Sequence, residues 1–238
     1  MENSKQISTP INGRQLVIPD IHGCLDTLVA LYEKLNPTKA DQILFLGDYI
    51  NRGPKSAGVI DFILDLIEQG FEVYPLRGNH EQMAIDSHSN ILANPNLKRV
   101  PSLQKRRGLV DSRGLLLEKY QDFFFNLPYY YELENHYLVH AGFDFKSPNP
   151  FENYEQMMWL RESENDEAFT KGKQIIHGHQ SEFLHFIQQD MANKAKIIGL
   201  DNGVYKVSYE GKGNLCCLDL TNNQLFVQPT IDEMKSSR

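Results

Sequence analysis

The chain predicts an α/β fold built on a largely parallel sheet, and three observations carry that prediction. Short apolar runs alternate with segments of helical period from Arg14 to Glu81. Each of these runs ends in a polar cluster containing Asp, His or Asn. Right-handed crossovers return successive strands in the same direction, so the clusters fall together on one edge of the sheet. That edge is where α/β proteins carry their ligands.

The elements follow in order. Arg14 to Pro19 reads as a strand ending at Asp20-Ile21-His22-Gly23. Leu25, Leu28, Val29, Tyr32 and Leu35 then recur at helical spacing until Asn36-Pro37 stops the helix. Ile43 to Leu46 reads as a buried strand, and Gly47-Asp48-Tyr49-Ile50-Asn51-Arg52-Gly53 follows it directly. A helix is expected from Pro54 to Gln69, with Val59, Ile60, Ile63, Leu66 and Ile67 inward and Gly70 as its cap. Glu72 to Leu76 is a third strand, delivering Arg77-Gly78-Asn79-His80-Glu81.

Asn90 to Gly108 lacks periodicity and holds Lys98, Arg99, Lys105, Arg106 and Arg107. A solvated loop is the expectation there, ahead of a basic lip that attracts phosphate. A helix from Leu115 to Phe125 precedes strands at Tyr129 to Leu133 and Tyr137 to Val139, the second stopping at His140-Ala141-Gly142. Ile175-Ile176 leads to His177-Gly178-His179. Ile197-Ile198, Val204 to Val207, Leu215 to Leu220 and Leu225 to Val227, with Gly and Asn between them, predict an antiparallel meander.

At 238 residues and 41% hydrophobic content, one sizeable core is the expectation. It would span residues 14–230, with a flexible tail at 1–13 and another at 231–238. A net charge of -7 weighs against a general nucleic-acid binder or an anionic-membrane binder. The opening residues lack the apolar core of a secretory signal, and no run of about 18 apolar residues occurs, so a soluble cytoplasmic protein is expected. Cys216 and Cys217 are adjacent in an apolar run, which suits reduced core thiols.

Asp20, His22, Asp48, Asn79, His140 and His179 are hard or borderline metal ligands at the ends of apolar runs. Oxygen and imidazole donors without a thiol suit Mn, Fe or Zn at a hydrolytic centre. A carboxylate such as Asp48 can bridge two ions, which at about 3.5 to 4 Å apart clamp a phosphoryl group and activate a water.

In this order, the blocks at Asp20-Ile-His22-Gly, Gly47-Asp48-Tyr-Ile-Asn51-Arg52-Gly53, Gly78-Asn79-His80-Glu81, His140-Ala-Gly and Gly178-His179 resemble the motifs of the phosphoprotein phosphatase family of metallophosphoesterases. Small bacterial and phage-type serine/threonine phosphatases are similar in size. The resemblance implies an αββα sandwich of two mixed β-sheets flanked by helices. It implies Asp20, His22 and Asp48 around one divalent ion and Asp48, Asn79, His140 and His179 around a second, with manganese foremost and iron or zinc as alternatives. By the same resemblance His80 is the general acid, Arg52 and Arg161 bind phosphate together with Asn79, and the partner is a phosphorylated protein or peptide.

Three departures from the family pattern stand out: Pro19 in place of Gly, Gln180-Ser181 in place of Thr-Pro, and Asn51 in place of the Asp that charges and orients the general-acid histidine. The Asn51 amide can still orient His80 but supplies no charge, so His80 is expected to protonate less readily and good leaving groups to be favoured. Symmetrical dinucleoside tetraphosphate hydrolases resemble the same family and also lack that aspartate, which makes a dinucleoside polyphosphate the alternative substrate. They usually carry Asp after the Asn-His pair, where this chain has Glu81. Glu81 is also a candidate helix cap. His177 is expected in the core or beside a ligand, Tyr205 in a sheet ahead of overhanging the site, and the rings from Phe123 to Tyr131 in packing ahead of an aromatic clamp for bases.

Overall fold

The computed structural model describes residues 3–94, 108–162 and 164–234. Lys98, Arg99, Lys105, Arg106 and Arg107 therefore lie outside the described residues. Among the rest, the elements in chain order are β1 (Ser4–Gln6), β2 (Gln15–Ile18), α1 (Leu25–Leu35), β3 (Gln42–Phe45), α2 (Ser56–Glu68), β4 (Glu72–Pro75), α3 (Asn79–Ala93) and α4 (Glu118–Asn126). They continue with β5 (Tyr130–Glu132), β6 (His136–Val139), α5 (Tyr154–Trp159), α6 (Glu167–Thr170), β7 (Gln174–His177), α7 (Leu184–Ala192), β8 (Ile197–Gly199), β9 (Asn214–Asp219) and β10 (Gln224–Pro229).

The strands form two five-stranded mixed sheets, ordered β10-β9-β2-β3-β4 and β1-β5-β6-β7-β8. Period-two alternation explains how they stack. In β2 and β3, Leu16, Ile18, Ile43 and Phe45 face a core that includes Leu28 and Leu31 of α1 and Ile60 and Ile63 of α2. Val17, Leu44 and Leu46 point the other way, meeting Leu138, Ile176 and Ile198 of the second sheet. Cys217 joins the first of these cores and Cys216 the second. The adjacent thiols thus face opposite sides of β9, and all three cysteines are free and buried. On the far face of the second sheet, Tyr137, Val139 and Ile175 pack with Phe143 and Met157. The result is the expected αββα sandwich.

Three parts of the chain depart from expectation. The predicted meander reduces to the β9–β10 hairpin, which joins the first sheet antiparallel to β2. Ile197 and Ile198 instead lie in β8, which runs parallel to β7 in the second sheet. Val204 to Val207 form turns although Val204 is fully buried, so burial there comes from filling a core and not from ladder pairing. At the start of the chain Ser4–Gln6 pairs in parallel with Tyr130–Glu132, giving part of the expected tail a place at a sheet edge. Near the end, buried Asp232 accepts hydrogen bonds from the Asp26 and Thr27 amides and the Thr27 hydroxyl at the start of α1. It provides the acceptor that Cys24, at the N-cap, does not.

Candidate metal centre

The loops after β2, β3, β4, β6 and β7 meet at one end of the sandwich. Backbone hydrogen bonds weld them: the Ile21 and His22 amides donate to the Asp48 carbonyl, and the Gly178 amide donates to the His140 carbonyl. His22, Asp48, Asn51, Arg52 and His179 all have left-handed backbone, with φ between 49° and 69°. For residues bearing a Cβ that conformation costs on the order of 1 to 3 kcal/mol each, and it is held only where the surroundings over-determine it. Gly78 and Gly178 answer a different demand. A Cβ on either would collide with a carboxylate oxygen, of Asp48 in the first case and of Asp20 in the second.

The six predicted ligands converge. His22 Nε2 lies 3.8 Å from Asp20 Oδ2 and 3.7 Å from Asp48 Oδ2. His140 Nε2 lies 3.6 Å from Asp48 Oδ1 and 3.0 Å from Asn79 Oδ1. Asn79 Oδ1 is also 3.2 Å from His179 Nδ1. The tautomers give these distances meaning. His140 Nδ1 donates to the Leu46 carbonyl at 2.8 Å and His22 Nδ1 to the Ile50 carbonyl at 3.1 Å. Each neutral ring then turns a lone pair on Nε2 toward Asp48. Acceptor atoms of His140, Asn79 and Asp48 thus face one another.

Electrostatics point the same way. Burial, with Asp201 and Asp48 nearby, pushes the Asp20 carboxyl well above the ordinary range, and burial beside Glu81 does the same to Asp48. Burial holds His22 down to about 3 and His179 down to about 4, and drives His140 well below the ordinary imidazole value. The imidazoles are therefore in their ligating form, and a cation bound between them and the acids would return both carboxyls to their charged form. Asp20 Oδ2 is buried and accepts no hydrogen bond. Divalent cations fit this donor set: Asp20, His22 and Asp48 would hold one, and Asp48, Asn79, His140 and His179 the other.

Glu81 braces the hub from beneath. Fully buried at the start of α3, its carboxylate accepts the Asp48 amide at 2.8 Å, the Tyr49 amide at 3.0 Å and the Gly78 amide at 3.1 Å. It caps the helix as expected and also fixes the loop that carries Asp48. Burial raises its carboxyl to about 7. Buried Arg77 ties the C-terminal end of α4 to this framework, donating to the Phe125 carbonyl at 3.0 Å and the Tyr129 hydroxyl at 3.1 Å.

His80 stands beside the cluster, with Nε2 3.9 Å from Asp48 Oδ2 and its amide donating to Asp48 Oδ1 at 2.9 Å. The Asn51 amide nitrogen lies 2.6 Å from His80 Nδ1, while Asn51 Oδ1 is buried without a partner. Turning that amide half a revolution would set the oxygen on the ring N–H and satisfy both groups. In either orientation the contact is neutral.

Arg52 is exposed, and its guanidinium carbon sits 5.3 Å from the centre of the Tyr205 ring. That ring in turn meets His22 edge-on with centroids 4.9 Å apart. Tyr205 therefore overhangs the site from a turn, the less favoured of its two expectations, and is not a sheet residue. Arg161 is exposed at the rim, close enough for its charge to help depress His179, and its carbonyl accepts from the Gln180 side chain. Trp159, 40% exposed, lies with its ring 6.5 Å from that of His179. His177 is buried and bonded to the Gly178 carbonyl, and His88 accepts the Leu116 amide, so both are structural. Buried Asp201, raised to about 6 by burial, faces the centre from behind Asp20 and was not picked out by sequence.

A family model for calcineurin-like phosphoesterases matches residues 13–207, most of the chain and every residue of this cluster. The chain belongs to the calcineurin-like phosphoesterase family. Curated relatives fall in two groups. Over 75 residues the chain is 41% identical to the symmetrical bis(5'-nucleosyl)-tetraphosphatase of Buchnera aphidicola, covering 31% of this chain and 26% of that one. It is 39% identical, also over 75 residues, to serine/threonine-protein phosphatase 1 of Salmonella typhimurium, covering 31% and 32%. The aligned part thus spans about a third or less of either relative's length. Among solved structures, a protein serine/threonine phosphatase from Saccharomyces cerevisiae is similar in fold, with a TM-score of 0.68 at 15% identity over 98% of this chain and 84% of that one.

Proposed function

We propose that this phosphoesterase is a serine/threonine protein phosphatase working through a dinuclear divalent centre, with manganese the expected metal. The observation that carries the hydrolytic reading is the convergence of Asn79 Oδ1 and Asp48 Oδ1 on the lone pair of His140 Nε2, at 3.0 and 3.6 Å. Bound there, two cations supply Lewis-acid polarisation of the phosphoryl group and an activated water as nucleophile. Arg52 and Arg161 flank the cluster and grip the outer phosphate oxygens, assisted by the Asn79 side chain. His80, aimed past Asp48, hands a proton to the departing serine or threonine alkoxide. Asn51 orients that ring, and Tyr205 steadies the Arg52 guanidinium through a cation–π contact.

Glu81 supports the protein-phosphatase side of the family, because symmetrical dinucleoside tetraphosphate hydrolases usually carry Asp at the position after the Asn-His pair. A second reading, hydrolysis of dinucleoside polyphosphates, draws on Asn51. A nucleotide leaving group is already a stable anion and needs little proton donation, so an uncharged partner for His80 costs such a reaction less. Three free buried thiols favour a reducing compartment, in keeping with a cytoplasmic enzyme. No helix among the described residues is long and apolar enough to cross a membrane.

The test is manganese-loaded protein assayed side by side on phosphoserine, phosphothreonine and phosphotyrosine peptides and on diadenosine tetraphosphate. The expected result is kcat/KM highest on phosphoserine or phosphothreonine peptide. A dinucleotide rate exceeding the peptide rates by orders of magnitude overturns the protein-phosphatase assignment in favour of the second reading.

A further inference from the structure

Behind Tyr205 lies a group of cations that the chemistry above leaves unused. The Lys206 and Lys212 ammonium groups both donate to the Ser181 hydroxyl, and Lys212 donates to the Ser181 carbonyl as well. Two like charges on one small acceptor repel, and among the described residues neither lysine has an ion pair within 4.0 Å. Both are half-buried, so water screens them less than it would exposed lysines. The Lys212 ammonium rests over the Phe183 ring at 4.8 Å, and the Lys206 ammonium lies 5.7 Å from the Tyr205 ring whose other neighbour is Arg52.

The charges of Asp201 and Asp20 reach Lys206 without forming an ion pair with it. Asp201 spends Oδ1 on the Gly203 amide at 2.7 Å, and its charge reaches the two lysines only at a distance. Ser181 stands two residues after His179, and Lys206 lies beside the Tyr205 ring that meets both His22 and Arg52, so the pair borders the metal cluster. Arg52, Lys206 and Lys212 thus gather around Tyr205 and Ser181 at the edge of the centre.

We propose that Lys206 and Lys212 form a second phosphate subsite, which binds a phosphate group of the substrate other than the one being hydrolysed. That group belongs either to a polyphosphate chain or to a second phosphorylated residue of the same peptide. The subsite rests on phosphoesterase chemistry at the metal cluster and not on the choice of serine/threonine substrates. A bare serine hydroxyl is a poor match for two ammonium groups, and a phosphate oxygen displaces it with a charge-assisted hydrogen bond from each. The same lysines, by releasing Ser181, leave the His179 loop in place through its backbone bonds to Asp20 and His140.

The test is steady-state kinetics of the Lys206→Met/Lys212→Met double variant on manganese-loaded protein. Four substrates are used: an aryl phosphate, a singly and a doubly phosphorylated peptide of one sequence, and diadenosine tetraphosphate. KM is expected to rise about tenfold or more on at least one of the last two, consistent with loss of charged hydrogen bonds. It should change less than about twofold on the first two, with kcat held throughout. The single variants Lys206→Arg and Lys212→Arg, which keep the charge, should retain most of the wild-type KM. A rise on the doubly phosphorylated peptide alone identifies a neighbouring phosphoresidue as the ligand, and a rise on the dinucleotide alone identifies a polyphosphate chain. The second result leaves the subsite standing even if peptides prove poor substrates and the protein-phosphatase reading falls. An equal loss on all four substrates, or no change on any, overturns the subsite and leaves the lysines as struts for the His179 loop.

Discussion

Asp48 and Tyr205 lie on two sides of His22 and are held there by different means. Asp48 is fixed by its own backbone: a left-handed φ of 54°, an amide bound to Glu81 and a carbonyl shared by the Ile21 and His22 amides. Tyr205 is fixed by what it touches, an edge-on imidazole and a guanidinium above its ring, on a turn whose only regular neighbours are distant in sequence. The hub is thus held by backbone hydrogen bonds between the strand-end loops and the rim by contacts between side chains. A hub built that way tolerates little change. A rim built from long side chains is free to vary, and with it the substrate.

Asp48→Asn separates the two most sharply. Losing the shared carboxylate should cost activity about a thousandfold or more on every substrate, since several kcal/mol of charge stabilisation goes with the metals. Bound manganese, measured by elemental analysis after gel filtration, should fall below one ion per chain. Retention of both ions would show that Asp48 is not the bridge. Arg52→Ala strikes the first rim position. A rise in KM of about 10- to 100-fold on peptide and aryl phosphate alike is expected, with metal content unchanged. If metal is lost as well, Arg52 belongs to the hub and the division drawn here is misplaced.

Asn51→Asp probes the boundary between them. Restoring a negative charge beside His80 should raise the phosphoserine-peptide rate about tenfold relative to an aryl phosphate and shift the pH–rate profile. A ratio and profile that both stay put would remove Asn51 from any account of leaving-group preference. The smallest effect is expected for Tyr205→Leu, a rise in KM of about threefold to fivefold from the loss of roughly 1 kcal/mol of cation–π support for Arg52. Added to Arg52→Ala it should have no further consequence, and additive losses in the double variant would mean that Tyr205 contacts the substrate itself.

The short-range half of this protein was open to sequence reading. Asp20, His22, Asp48, Asn79, His140 and His179 each sit at the end of an apolar run, and the glycines beside them mark where a Cβ cannot fit. The common direction of the first three strands of the βαβαβ start followed from right-handed crossovers, and the opposite faces within β2, β3 and β9 reflect a period of two. Sequence failed where residues are buried without periodicity. Val204 looked like a strand residue because it is apolar, yet it fills the core from a turn. Ile197-Ile198 looked like part of a meander, but the choice between two sheets depends on which neighbour, β7 or β9, offers an open edge. Local propensity carries no information about that.

The chain by itself therefore determined which donor side chains stand at the strand ends, because residue type and strand-end position are properties of a few consecutive residues. Tertiary structure alone decided the neighbours of that centre. The Asp48 and Tyr49 amides on Glu81, the Tyr205 ring between His22 and Arg52, and the convergence of Lys206 and Lys212 on Ser181 join residues that no local pattern relates. Long side chains reach their partners only after the sheets have stacked, so the geometry that selects a substrate emerges from packing and not from sequence spacing.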